Sequence, residues 1–598
     1  MRTLAFLLGL LLCWPAYAQQ VPNPQPRIHV AHNAALSAAA TTAYPEGVYR
    51  NDFAANFGAP PLFFRGSNAA CPIPGGNGGS QVPSADGKCW IAVHPAGDMD
   101  IRQFGADPSG SADSAPAIQL AANVATSSKN CVYIPPGTYK LNSRITVDMP
   151  ATGGFCFKGD GGHQRATLNW PNANGGLKIT AYSQPGSVYI ADLSFTTSQA
   201  GGGTGIEIVN AGAFGGSMGN HNILKNLWFA GDDRIALYEA NLHYWTDAII
   251  TTGISVVDIS DTDISGAGFN LGRGIKFEGI PSTTVYGIVL NMVNMGFFDL
   301  DIGFTYGRHV QGVTIVNANF TGGNIAVYNV DVFPETTAGD LLSISNSQFN
   351  TADHGIKLLG EIVHVLISNC LFYPAVNKAG IYLAFAQIID ISNNTFISAT
   401  YPPINSVGII ADKSIVENAS TIVGNSFVRL TSAVVLGVDT FNWVVGRNAF
   451  KSIDTNPPVI NNAGIKNDVE LNTTWTPSLK FGDTSVGMAF TNYGNFNVTN
   501  KVASFDLRIT LTAKGSSVGE ATIIGLPYSS LLTLAQGTVK CGYYNYMAGM
   551  PGALSGVVVL DSGKITLVVP TITGVSAITD ANFTDTSELN CSGSYRLP

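Results

Sequence analysis

Between Phe195 and Phe297 the sequence gathers an unusual number of side chains able to move protons. Asp258 and Asp263 flank one corner, at Asp261, on outward positions; Asp232 and Glu278 lie within the same stretch and Asp299 just beyond it. Hydrolysis of a glycosidic bond needs two carboxyl groups, separated by roughly 5 to 5.5 Å for retention or roughly 6.5 to 9.5 Å for inversion. Asp233 and Asp301 are further candidates, but each stands four residues after an aromatic, in a column with Gly268, Asn324 and Asp353. A column that exchanges Asp, Asn and Gly is what a turn demands, so its acids carry a structural reading first. The run His243-Tyr244-Trp245 offers rings that could stack on the apolar faces of sugars, with packing in the core as the alternative for Trp245.

Other chemistries find less support. A lyase needs a base, yet Lys225, Arg234, Arg273, Lys276 and Arg308 are the only cationic residues between 189 and 320 and form no column. No CxxC or His-rich spacing marks a metal site, so no cofactor is expected; calcium enters only if the reaction is a lyase's.

Carboxylates can be set at such distances by a stack of coils, and the sequence contains one. A polar Asn or Asp followed three residues later by Phe or Ile recurs at Asp192/Phe195, Asn226/Phe229, Asp261/Ile264, Asn294/Phe297, Asn317/Phe320, Asn346/Phe349, Asn369/Phe372 and Asn393/Phe396. Phe427 and Phe450 continue the series. The shortest interval, 23 residues, is the basic coil, and intervals of 34, 35 and 33 between Phe195 and Phe297 imply added loops that could wall a groove. Alternating stretches such as Leu342-Ser343-Ile344-Ser345 precede the aromatics, one face for the core and one for solvent. A leucine-rich repeat shares the length, but β-branched and Gly-rich stretches occupy the places where its helices would be. Asp192 and Asp261 belong to the corner column and read as structural.

Residues 100 to 141 sharpen the architecture: DIRQFGADPSG, then SAPAIQLAANVA, then CVYIPPGTYKL. This stretch resembles the opening of pectate-lyase-superfamily proteins, which implies a right-handed parallel β-helix whose first coil is covered by a short helix. Ser114 is its expected N-cap, with Ala117, Leu120, Ala121 and Val124 on the inner face. The segments TWTPSLKFG, FDLRITLTAKGS and ANFTDTSELNCSGSYRL resemble the C-terminal domains of phage tailspikes and tail fibres, which implies trimerisation or glycan contact. Tailspike-like relatives place a Glu before a strand-opening Gly, whereas this chain has Gln311 before Gly312. The expected organisation is a leader at 1–18, a separate N-terminal module at 19–97, the β-helix at 98–470 and a β-sandwich-like domain at 471–598, an all-β chain throughout.

Composition sets the partners. The formal net charge of −9 disfavours nucleic acid. Arg2, the apolar run Leu4 to Leu12 and Ala16-Tyr17-Ala18 have the form of a secretory signal, too short to span a membrane. In an oxidising compartment Cys71 would pair with Cys89, Cys131 with Cys156 and Cys541 with Cys591, leaving Cys370 a buried thiol. Together these features lead to the expectation of a secreted, tailspike-like, homotrimeric depolymerase, endo-acting on bacterial capsule or exopolysaccharide, or a virion tail component if phage-encoded. A secreted bacterial or prophage-derived lyase is the second reading, and a non-catalytic glycan-binding adhesin the third.

Overall fold

The computed structural model describes residues 27–597 except 56, 95–96, 129, 150–152, 162–164, 182–185, 212–220, 235–241, 270, 281–285, 330–338, 361, 386, 401, 415–417, 456–457, 464–466, 470, 500–501, 529–536, 551 and 560–562. The leader expected at 1–18 lies outside the described residues.

Two parallel sheets, one of 21 strands and one of 12, wind together into a right-handed β-helix. Each coil has three limbs. In the coil around Ile264 the strand Ser255–Ser265 supplies the first two and Arg273–Glu278 the third. The bend between the first two falls on the repeating polar residue: Asp192, Asn226, Asp261, Asn294, Asn317, Asn346, Asn369 and Asn393 all adopt left-handed backbone, with φ between 51° and 60°. Asn and Asp tolerate this conformation because their short polar side chains can bond locally, which explains why the column admits them.

Three residues beyond each bend, the aromatics stack in register inside the coils. Phe195 is aligned with Phe229, Phe229 with Ile264, Ile264 with Phe297 and Phe297 with Phe320. The Phe297 and Phe320 ring centroids are 4.5 Å apart and nearly parallel, and the stack continues through Phe349, Phe372, Phe396, Phe427 and Phe450. The register counted from the sequence is therefore the register of the core. The expected helix spans Ala115–Ser128, but its buried face is shifted from the expected one: Ala117 and Ala121 are buried with Ile118, Ala122 and Ala125, whereas Leu120 and Val124 are only partly covered. Ser114 differs from a simple N-cap: its hydroxyl accepts from the Asp107 backbone N–H, because this buried side chain also ties down the preceding loop.

The three expected disulfides are present, and Cys370 is free and buried. Cys131–Cys156 joins residues aligned on adjacent coils. The C-terminal strands, from Leu471–Trp475 to Glu588–Arg596, form a curled ten-stranded antiparallel sheet. The N-terminal module is a separate unit, a five-stranded sheet around Leu36, Val48, Leu62, Phe64, Val82 and Trp90.

Candidate functional site

The coil geometry distributes the candidate acids over three faces. Asp258 lies on the first limb, aligned with Ile223 and Asn291 on neighbouring coils. Its carboxylate contacts the His221 imidazole and accepts from Asn291 Nδ2 at 2.8 Å. Burial pushes this carboxyl up, but the hydrogen bonds from His221 and Asn291, with the charge of His221, outweigh it and hold the group below its ordinary range.

Asp263 lies beyond the bend on the second limb, so it and Asp258 face different directions. It is exposed and aligned with Trp228 on one side and Gly296 on the other. A Cβ on Gly296 would come within 2.1 Å of Asp263 Oδ1, so the missing side chain is what makes room for this carboxylate.

Asp232 and Asp233 follow the second limb, where the strand Asn222–Gly231 ends. Asp232 accepts from the Ser198 hydroxyl, and its Oδ1 sits 2.6 Å from His243 Nδ1. Asp233 accepts the backbone N–H groups of Leu242 and His243, at 2.6 Å for the former, which is the turn role its column implied. A ligating atom from each of Asp232, Asp233 and His243 lies within 4.8 Å of the others. As a calcium site the fit is poor: that ion takes six to eight oxygen ligands, whereas an imidazole nitrogen is one of three donors here and Asp233 is already engaged by the backbone.

Asp232 also lines a groove of about 440 Å³ with Thr138, Thr167, Asn169, Thr196, Trp228 and Arg234. Hydroxyls and an amide thus lead along the second face to a carboxylate paired with an imidazole. Asp299 and Asp301 lie at the corresponding turn two coils on. Arg234 Nη2 donates to Asp299 at 3.2 Å, and Asn324 donates to Asp301 at 3.1 Å. Glu278 faces out from the third limb, paired with Lys276 at 2.8 Å and accepting from Thr252.

One expectation is corrected. Trp245 is only 2% exposed, its indole N–H donating to the Phe195 carbonyl and its ring set edge-on to Trp170. It is core, and offers no face to a ligand. Tyr244 and His243 are half-buried, His243 being held at the Asp232 carboxylate. Sequence reasoning missed Ser198, His221 and Trp228. Trp228 and His221 could have been found, since counting back from Phe229 gives the outward position before the ladder and the residue just ahead of the strand.

These features define a right-handed parallel β-helix protein with a polar, carboxylate-bearing groove on one face. Residues 99–382 match a family model described as Rhamnogalacturonase A/epimerase, pectate lyase-like. A search of curated proteins found no match. Among solved structures, the Dettilon tailspike protein gp208 is similar with a TM-score of 0.50 and 13% identity over 84% of this chain and 94% of that one. The tailspike gp49 of Acinetobacter baumannii bacteriophage Fri1, a capsular polysaccharide depolymerase, aligns with a TM-score of 0.43 and 12% identity over 95% and 98%. Pantoea stewartii WceF, a glycan biofilm modifying enzyme, aligns with a TM-score of 0.35 and 12% identity over 95% and 72%. The chain carries a pectate-lyase-like right-handed β-helix and is structurally similar to phage tailspike proteins.

Proposed function

We propose that this protein is a polysaccharide depolymerase, an endo-acting glycoside hydrolase on bacterial capsule or exopolysaccharide, acting at the second-face groove. The observation that carries the reading is the Asp232 carboxylate, bonded to Ser198 and His243 and opening onto a groove lined by hydroxyls and an amide. The family model, whose description names a rhamnogalacturonase, supports the same class of substrate.

In this reading Asp232 and His243 exchange the proton that the leaving or attacking oxygen needs. Asp233, which accepts two backbone N–H groups, stands close enough to act on the same linkage, and Asp263 supplies a further carboxylate on that face. Lyase chemistry is the second reading, favoured by one observation: the His243 imidazole, oriented through Nδ1 by Asp232, leaves Nε2 to act as a base. The protein is taken to be secreted and trimeric. Light scattering of the purified chain tests the trimer, and a monomeric mass contradicts it.

Incubation with a panel of bacterial exopolysaccharides tests the reaction. New reducing ends without ultraviolet absorbance are expected; absorbance from an unsaturated uronate would instead mark a lyase, and binding without shortening of the polymer would mark an adhesin.

A further inference from the structure

The polar column at the bend changes character partway along the stack. In its early coils the side chains bond to one another: Asn226 donates to Asp192 at 2.7 Å, Asn294 to Asp261 at 2.9 Å and Asn317 to Asn294 at 2.7 Å. After Asn317 these bonds stop. Asn346, Asn369 and Asn393 keep the left-handed backbone and are exposed, but their carboxamides make no such bond to the next coil. Where the rungs end a groove of about 780 Å³ begins, lined by Asn317, Asn346, Asn369 and Asn393 on one side and by Gln348 and Thr395 among others on the adjoining limb.

We propose that this groove is a second, non-catalytic binding site for a neutral, hydroxyl-rich glycan chain. A carboxamide carries two donors and an acceptor, which suits the paired hydroxyls of a sugar, and neighbouring coils repeat the group about every 4.8 Å. Among the described residues no charged side chain lines the groove, so no ionic contact there favours a uronate, a phosphate or a protein rim of charged residues over a neutral polymer. The backbone bend admits Asn and Gly alike. Gly424 occupies the same column with φ of 69°, so a side chain is dispensable there for the conformation. The bend selects Asn or Gly, and at Asn346, Asn369 and Asn393 it leaves three successive exposed carboxamides that do not bond along the ladder and stand open to a ligand outside the chain.

The proposal takes from the functional reading only that the chain meets polysaccharide, and binding is measured apart from cleavage. Affinity electrophoresis through native gels cast with dextran, galactomannan or xyloglucan provides the probe. Wild-type protein is expected to be retarded in at least one gel. The triple variant Asn346→Gly, Asn369→Gly and Asn393→Gly retains the backbone φ and should lose at least about tenfold in affinity. Gln348→Ala, outside the bend, should lose less. A wild type unretarded in every gel, or a folded triple variant and a Gln348→Ala variant that both bind like wild type, would overturn the assignment. If the triple variant does not fold, Gln348→Ala alone decides by the same criterion.

Discussion

Arg234 reaches across two coils to Asp299, its Nη2 3.2 Å from Oδ2, while its Nη1 donates to the Gly266 carbonyl of the coil between them at 3.2 Å. Both side chains are largely buried, 4% and 15% exposed, so this bridge clamps three successive turns beside the groove.

Removing one partner of such a pair leaves an uncompensated charge away from water. Arg234→Ala or Asp299→Asn should therefore destabilise the protein by about 3 to 5 kcal/mol. Urea denaturation of each variant measures this; a midpoint equal to wild type would show that the bridge contributes nothing.

Phe320 stacks between Phe297 and Phe349 and is 1% exposed. Phe320→Ala should cost about 3 to 5 kcal/mol, from lost burial and the cavity left behind. The outward Asn319→Ala, one residue away, should cost under about 1 kcal/mol. Equal melting temperatures for the two variants would contradict the ladder.

His94 in the N-terminal module stacks on Phe104, and burial, with a smaller effect of the Arg50 charge, pushes its pKa down to about 4. The unfolded chain, with a histidine pKa of about 6.5, binds this proton more readily than the folded one, so stability is lost as pH falls from about 6.5 towards about 4. His94→Phe should flatten that part of the stability-against-pH curve. Thermal melts of wild type and variant across this range check the sign, and parallel curves would refute it.

Asp258 and Asp263, five positions apart, separate by face. Asp263→Asn should lower turnover by at least about tenfold with little change in melting temperature, because its carboxylate is exposed on the groove's face. Asp258→Asn should leave activity within about threefold, since its partners His221 and Asn291 belong to the first limb. Initial rates of reducing-end release decide, and the reverse order would move the site to the first face.

Much of this was legible in the sequence because the coil is periodic. The alternation of core and surface and the left-handed bend recur at each coil, so Phe320 and Asn317 could be assigned by counting. The groove was less legible, because it is made at turns whose lengths vary. That Asp299 is claimed by Arg234 depends on a contact spanning 65 residues, which no local pattern reports. Trp245 was ambiguous for a related reason: whether a ring after a long connection turns inward depends on the room left by Trp170 and Phe195 on neighbouring coils.

The central claim rests on Asp232. The most direct measurement compares wild type with Asp232→Asn on an exopolysaccharide that the wild type shortens, following reducing ends and melting temperature together. The prediction is a loss of at least about a hundredfold in rate at unchanged melting temperature, since the substitution removes the carboxylate that exchanges a proton with His243 and leaves the packed coils untouched. Full activity in the folded variant, or no shortening of any polysaccharide by the wild type, would contradict the account.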